Sequence, residues 1–185
     1  MAGDKIHLLP LGYQDDALLD AVSRAVESAF GFEAAVCAPL PVPEHAFNEA
    51  RGQYFSTAIL RSLTPFVPPD VLRLLAITDV DLFVSQLNFV FGEAAVDGRV
   101  CIISLHRLRP EFYGQAPNER LFIERAMKEA IHELGHTFGL RHCSDPRCVM
   151  FFSNTIEDTD RKSAHFCDET ALRLRPRLIS QQKAA

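Results

Sequence analysis

The sequence predicts an α+β fold, with short core strands gathered early in the chain and a long helix late. Three observations carry this. Apolar runs at residues 6–11, 32–40 and 72–78 are bounded by glycine and proline, as buried strands are. Residues 87–95 and 100–105 flank Asp97-Gly98, a hairpin signal. From about Asn118 to Leu140 runs a helical stretch longer than any before it.

Taken in order, residues 6–11 form a first strand closed by Pro10 and Gly12. Ala17, Leu18, Ala21, Val22, Ala25, Val26 and Ala29 recur at three- and four-residue spacing, an amphipathic helix that ends near Gly31. Residues 32–40 read as a second strand stopped by Pro39, Pro41 and Pro43, and residues 51–63 as a second helix. Residues 72–78 are apolar apart from Arg73 and Thr78, as in a strand buried on both faces. Asn118 and Glu119 supply a cap and a first-turn acid for the long helix. Ala171, Leu172, Leu174 and Leu178 suggest a last helix that Pro176 kinks or ends.

With 185 residues, 48% apolar and 23% charged, the chain can bury a sizeable core. A formal net charge of −5 speaks against a nucleic-acid surface. Arg173, Arg175 and Arg177 cluster near the C-terminus and read as a solvated segment. No secretion signal and no window long enough to span a membrane is read. The five cysteines, an odd count, fit reduced thiols or metal ligands better than a disulfide framework. The expectations are a cytoplasmic address, no nucleic-acid or membrane partner, and a monomer by default.

The chemistry lies in residues 132–142, His-Glu-Leu-Gly-His-Thr-Phe-Gly-Leu-Arg-His, which read HExxHxxGxxH. Chance would assemble those five residues with a probability of roughly 10⁻⁵ to 10⁻⁴. His132 and His136 are one helical turn apart and share a face, so they can chelate one ion. His142 cannot join them in a continuing helix, which would carry it about 15 Å along the axis from His132. The chain must turn back, and Gly139 sits where helices end in the left-handed conformation.

Three imidazoles leave a tetrahedral zinc one position for water, the mark of a catalytic site. Glu133, rotated about 100° from the first ligand, is placed to take a proton from that zinc-bound water and pass it to the leaving amine. The implied function is zinc-dependent hydrolysis of peptide bonds. A binding or regulatory module that keeps the zinc but turns over little is the alternative, and the presence of Glu133 favours the enzyme. His7, His45 and His106 lack partners at ligand spacing, and Cys37 and Cys101 sit in apolar runs as small core residues.

HExxHxxGxxH followed by Met150 resembles the metzincin metalloproteases, with Met150 in the place of the methionine turn. Cys143 directly follows the third histidine, Cys148-Val149-Met150 reads CxM, and Cys167 comes later. That arrangement is similar to the archaemetzincins, whose pattern runs HExxHxxGxxHC, CxM and then CxxC. The resemblance covers residues 132–167 and implies a metzincin-like fold. A twisted five-stranded mixed sheet lies above a cleft, the long active-site helix beneath it, and a small irregular C-terminal subdomain ends in a helix. It divides a single catalytic domain, 1–185, into a part at 1–139 and a part at 140–185. It also implies a second, structural zinc held by four cysteines.

Cys143, Cys148 and Cys167 match three of these, but Thr170 stands where the fourth is expected. His165 is the first replacement ligand the sequence offers, with Asp168 and water behind it. Three reduced cysteines in a metal-free loop are the other reading. In metzincins an edge strand above the cleft aligns substrate by strand addition, and by order it falls within residues 88–95. Without a visible latency cysteine, such a peptidase is restrained by its cleft, which points to short peptides or peptide N-termini as substrates.

Overall fold

A computed structural model describes residues 5–12 and 15–184. Its centre is a five-stranded sheet formed by β1 (Lys5–Leu11), β2 (Ala34–Val36), β5 (Val71–Thr78), β8 (Gly92–Ala94) and β9 (Val100–Ser104). The strand order is β2-β1-β5-β9-β8, parallel throughout except for β8, which runs antiparallel to β9 at the edge. A second sheet of four short strands has the order β3 (Phe47–Asn48), β4 (Gln53–Phe55), β6 (Leu82–Val84), β7 (Leu87–Val90).

The helices cover both faces of the main sheet. On one face α1 (Asp16–Phe30) and α3 (Glu119–Thr137) pack on Ile6, Leu8, Leu75, Ile77, Cys101 and Ile103. On the other face α2 (Ser56–Leu63) packs on Leu9, Leu74, Ala76, Val100 and Ile102. Successive residues of β5 thus feed two cores, which is why its sequence is a run and not an alternation. All eight of its residues are buried. Arg73 is tolerated there because its guanidinium lies 4.3 Å from the centre of the Phe138 ring and Nη1 donates to the Leu72 carbonyl at 2.7 Å.

α1 is capped by Asp15, whose carboxylate accepts from the Ala17 and Leu18 amides, and it ends at Gly31 with φ 73°. α3 starts at the Asn118 cap, as its sequence predicts. It stops at Thr137, short of Leu140. Two further helices follow, the short α4 (Ile156–Arg161) and the longer α5 (Asp168–Ala184). No helix among the described residues is long and apolar enough to cross a membrane.

Several elements differ from the sequence reading. The strand at 32–40 shrinks to three residues, with Leu40 returning only as an isolated bridge to Leu11. Residues 53–55 are strand, not helix: Gly52 turns at φ 64°, and Gln53 donates to Asp81 and to the Asn88 carbonyl. Long-range partners there override helical spacing. The run 87–95 is split between two sheets on either side of buried Phe91. Pro176 lies inside α5 and does not end it. The carbonyl it frees belongs to Leu172, which is 70% exposed, so water can take that hydrogen bond.

Candidate metal centre and cleft

His132 and His136 project from the last two turns of α3. Each Nδ1 lies 2.8 Å from a backbone carbonyl, Val149 for His132 and Leu140 for His136. A carbonyl only accepts, so both Nδ1 atoms carry the proton and both Nε2 lone pairs are free. Those two lone pairs face each other at 3.2 Å. Two acceptors so close repel one another unless a cation lies between them. A tetrahedral zinc with bonds of about 2.0–2.1 Å holds its nitrogens about 3.4 Å apart.

The third imidazole arrives by the chain reversal. Gly139 adopts φ 77°, its amide donates to the His136 carbonyl at 2.8 Å, and Leu140 donates to Gly135 at 3.0 Å. The His142 ring then lies 4.8 Å from that of His136 and 5.4 Å from that of His132, centre to centre. The ligand atoms of all three lie within 4.8 Å of one another. Burial holds His132 and His136 below the usual imidazole range, and burial with the neighbouring His136 pushes His142 down to about 4. All three are therefore neutral at pH 7, the form that ligates.

Met150 is fully buried beneath this turn. A Cβ on Gly135 would come within 2.5 Å of its Sδ, so glycine is what lets the helix sit on the methionine. Cys143 and Met150 are tied by a 2.9 Å backbone hydrogen bond. The reversal is clamped from outside as well. Asp97, at the tip between β8 and β9, donates its amide to the His136 carbonyl at 3.1 Å, and its carboxylate accepts from Arg177 of α5 at 2.7 Å. This ion pair covers the Cα of Gly139, where any side chain would collide with it.

A cleft of about 700 Å³ opens over the histidines. Residues 91–94 and 152–154 are among those that line it. Gly92 passes directly over Glu133, since a Cβ there would meet Glu133 Cγ at 2.6 Å and the Ile102 carbonyl at 2.7 Å. Burial raises the Glu133 carboxyl well above the carboxylate range, Glu129 and Glu93 add to this, and Lys162 opposes it. Glu93 is anchored by the hydroxyls of Ser56 and Thr57 at the start of α2. The aromatic segment 110–113 does not line this cleft.

The cysteines form a second group. The sulfurs of Cys143, Cys148 and Cys167 lie within 4.8 Å of one another, with Cys143 and Cys167 at 3.6 Å. Backbone amides of Asp145 and Cys167 point at two of them, both at 3.4 Å. His165 is not brought into this group. It is exposed, and its carbonyl holds the Val149 amide at 2.9 Å. The Thr170 hydroxyl lies instead 3.4 Å from Cys148 Sγ and 3.2 Å from Cys167 Sγ. Cys101 is fully buried in β9, and Cys37 is half-buried; neither joins the group.

Glu129, Lys162 and Gly92 went unnoticed in the sequence. Glu129 had a signal, since it stands four residues before Glu133 and shares its helix face. Lys162 had none, because only the tertiary fold brings it to α3.

Comparison with known proteins agrees with this geometry. A family model described as peptidase family M54 matches residues 35–176. The archaemetzincin of Methanocaldococcus jannaschii is 45% identical over 178 residues, covering 95% of each chain. That of Pyrococcus furiosus is 43% identical over 182 residues, covering 95% of this chain and 94% of the relative. The crystal structure of archaemetzincin from Methanopyrus kandleri superposes with a TM-score of 0.84 at 35% identity, covering 96% of each chain. A zinc-dependent peptidase from Methanocorpusculum labreanum gives 0.84 at 31% identity, over 91% of this chain and 99% of that one. Fold, histidine constellation and overall similarity agree: the chain belongs to peptidase family M54, the archaemetzincins.

Proposed function

We propose that this metallopeptidase hydrolyses short peptides or peptide N-termini with one zinc ion held by His132, His136 and His142 and with Glu133 as general base. The facing Nε2 lone pairs at 3.2 Å, each fixed by an Nδ1–carbonyl hydrogen bond, are the observation that carries it. Bound there, a zinc ion polarises the scissile carbonyl and makes water acidic enough to be deprotonated near neutral pH. Glu133 accepts the proton of the attacking water and returns it to the departing amine. Its burial lifts its proton affinity toward what both transfers need. Gly92 keeps the edge strand close over it, so a peptide laid along β8 meets the carboxylate. That edge is three residues long, which suits a short extended substrate.

The test is metal analysis of wild type beside His136→Ala, with a peptide-library digest of both. The variant is expected to hold one zinc ion fewer per chain and to cleave nothing. Equal zinc in the two would remove the assignment.

We further propose that Cys143, Cys148 and Cys167 hold a second zinc, with the Thr170 hydroxyl at the fourth corner. Tetrahedral zinc–sulfur bonds of about 2.3 Å put sulfurs about 3.8 Å apart, close to the 3.6 Å between Cys143 and Cys167. Such an ion would brace the loop that begins at Cys143, directly after His142. Cys148→Ser is expected to lower the zinc content from two ions per chain to one. One ion in both proteins would leave three reduced cysteines and no second metal.

A further inference from the structure

Hydrolysis at the zinc site leaves one charged side chain of the cleft without a role. Arg61 of α2 lines the cleft and is exposed. Among the described residues its guanidinium takes part in no ion pair and no hydrogen bond. Three carboxylates line the same cleft, and each is already engaged. Glu129 pairs with Lys162 at 2.9 Å, Glu133 lies under Gly92 beside the histidines, and Glu93 accepts from the Ser56 and Thr57 hydroxyls. An arginine offers its donors in a fixed fork that matches a carboxylate, so an open one inside a peptidase cleft is a place for an acidic group of the substrate.

The position of Arg61 decides which acidic group that is. Glu93 pairs with Ile102, of the core under α2, whereas its neighbours Gly92 and Ala94 pair with Ile103 and Cys101, of the core under α3. Glu93 and Arg61 thus share the α2 face of the sheet, while Glu129 and Glu133 lie on the α3 face. α2 begins at Glu93, where the Thr57 hydroxyl donates at 2.7 Å. The chain that leaves α2 reaches the β8–β9 hairpin, where Arg99 donates to the Pro68 carbonyl at 2.7 Å. α2 therefore runs in the sense of β8, and Arg61, four residues after Thr57, stands about 6 Å beyond Glu93 toward the hairpin. Ala94 and Val96 line the cleft at that level.

β8 passes over Glu133 at Gly92, and beyond its end the Asp97 amide meets the His136 carbonyl. A peptide paired antiparallel to β8, the more stable pairing, runs N to C from the His136 end toward Glu133. Arg61 hence stands over the part of the peptide that precedes the cleaved bond, and the substrate's own C-terminal carboxylate lies the other way. In the added strand, the residue opposite Glu93 and the residue two places before it both project to the α2 face, about 7 Å apart. The first meets Glu93, which repels an acid. The second meets Arg61. With the bond cleaved above Glu133, that residue is the second or third before it.

We propose that Arg61 selects aspartate or glutamate at the second or third position before the cleaved bond. This rests on the peptidase reading given above, with substrate laid along β8. The experiment uses quenched peptides of one parent sequence in which Asn is replaced by Asp, in turn, at each of the three positions before the bond and the two after it. Two peptides that end in a hydroxamate, with Asp or Asn at the selected position, report binding alone. With the zinc-loaded protein, Asp is expected to raise kcat/KM about fivefold at one of those two positions and at no other, and the hydroxamate affinities to follow. At about 0.5 M salt the gain is expected to shrink toward one, because an exposed pair is screened. Arg61→Gln is expected to bring the Asp-to-Asn ratio to about one. Arg61→Glu is expected to place Asp below Asn and Lys above both. Both variants change an exposed side chain without a partner among the described residues, so the fold is kept. A ratio of about one in wild type, a gain only after the bond, or a gain kept in Arg61→Gln would overturn the proposal. Any of these with cleavage intact ends the specificity claim alone, whereas no cleavage and no hydroxamate binding ends the peptidase reading and this inference with it.

Discussion

Glu133→Gln is expected to lower kcat/KM for peptide hydrolysis by about 10²–10⁴-fold while zinc content stays at the wild-type level. Glutamine has the size and shape of glutamate, so the close passage of Gly92 over the side chain is kept. What it loses is the ability to accept a proton. The three imidazoles are positioned by Val149, by Leu140 and by the turn at Gly139, none of which depends on the charge of residue 133. Zinc analysis and a peptide assay on the same preparation separate the cases. Loss of zinc along with activity would make Glu133 a structural support, and unchanged activity would remove it as the base.

Arg125→Ala is expected to have the largest effect on stability, about 3–5 kcal/mol in urea unfolding at neutral pH. Arg125 is 1% exposed in the middle of α3. Its Nε and Nη2 donate to the two oxygens of Asp160, both at 2.7 Å, and Nη1 donates to the Leu108 carbonyl at 2.8 Å. One side chain thereby joins the active-site helix to α4 and to the loop that precedes it. Truncation empties the volume of a long side chain and leaves a buried carbonyl without its donor. Asp160 is about a third exposed and regains water, which places the loss toward the lower end of that range. A change below about 1 kcal/mol would show that the pair contributes no more than an exposed one.

The site was more legible in the sequence than the sheet around it. The four-residue spacing of His132 and His136 is a property of a single helix, and the reversal at Gly139 follows from the need to bring His142 back. Both are local. The run 87–95 could not be divided by pattern, because β7 and β8 pair with different sheets and only those partners mark the break at Phe91. Residues 53–55 became strand for the same reason. At the cysteines the sequence pointed to His165, which is near Cys167 along the chain, whereas the structure leaves His165 exposed and brings the Thr170 hydroxyl, one turn into α5, to two sulfurs. Glu129 was in plain view, but its buried ion pair with Lys162 is made only by the fold.

The contact of Asp97 with Arg177 over Gly139 links three segments that are remote in the chain. Asp97 and Arg177 stand 80 positions apart, yet they meet at the turn that delivers His142 and at the end of the hairpin that carries the cleft's edge. Heritable change at these sites should therefore be correlated. A lineage that loses the acid at 97 loses the use of the base at 177, and the freedom gained above residue 139 still cannot be used, because the backbone there remains left-handed. The glycine is expected to outlast the ion pair that covers it.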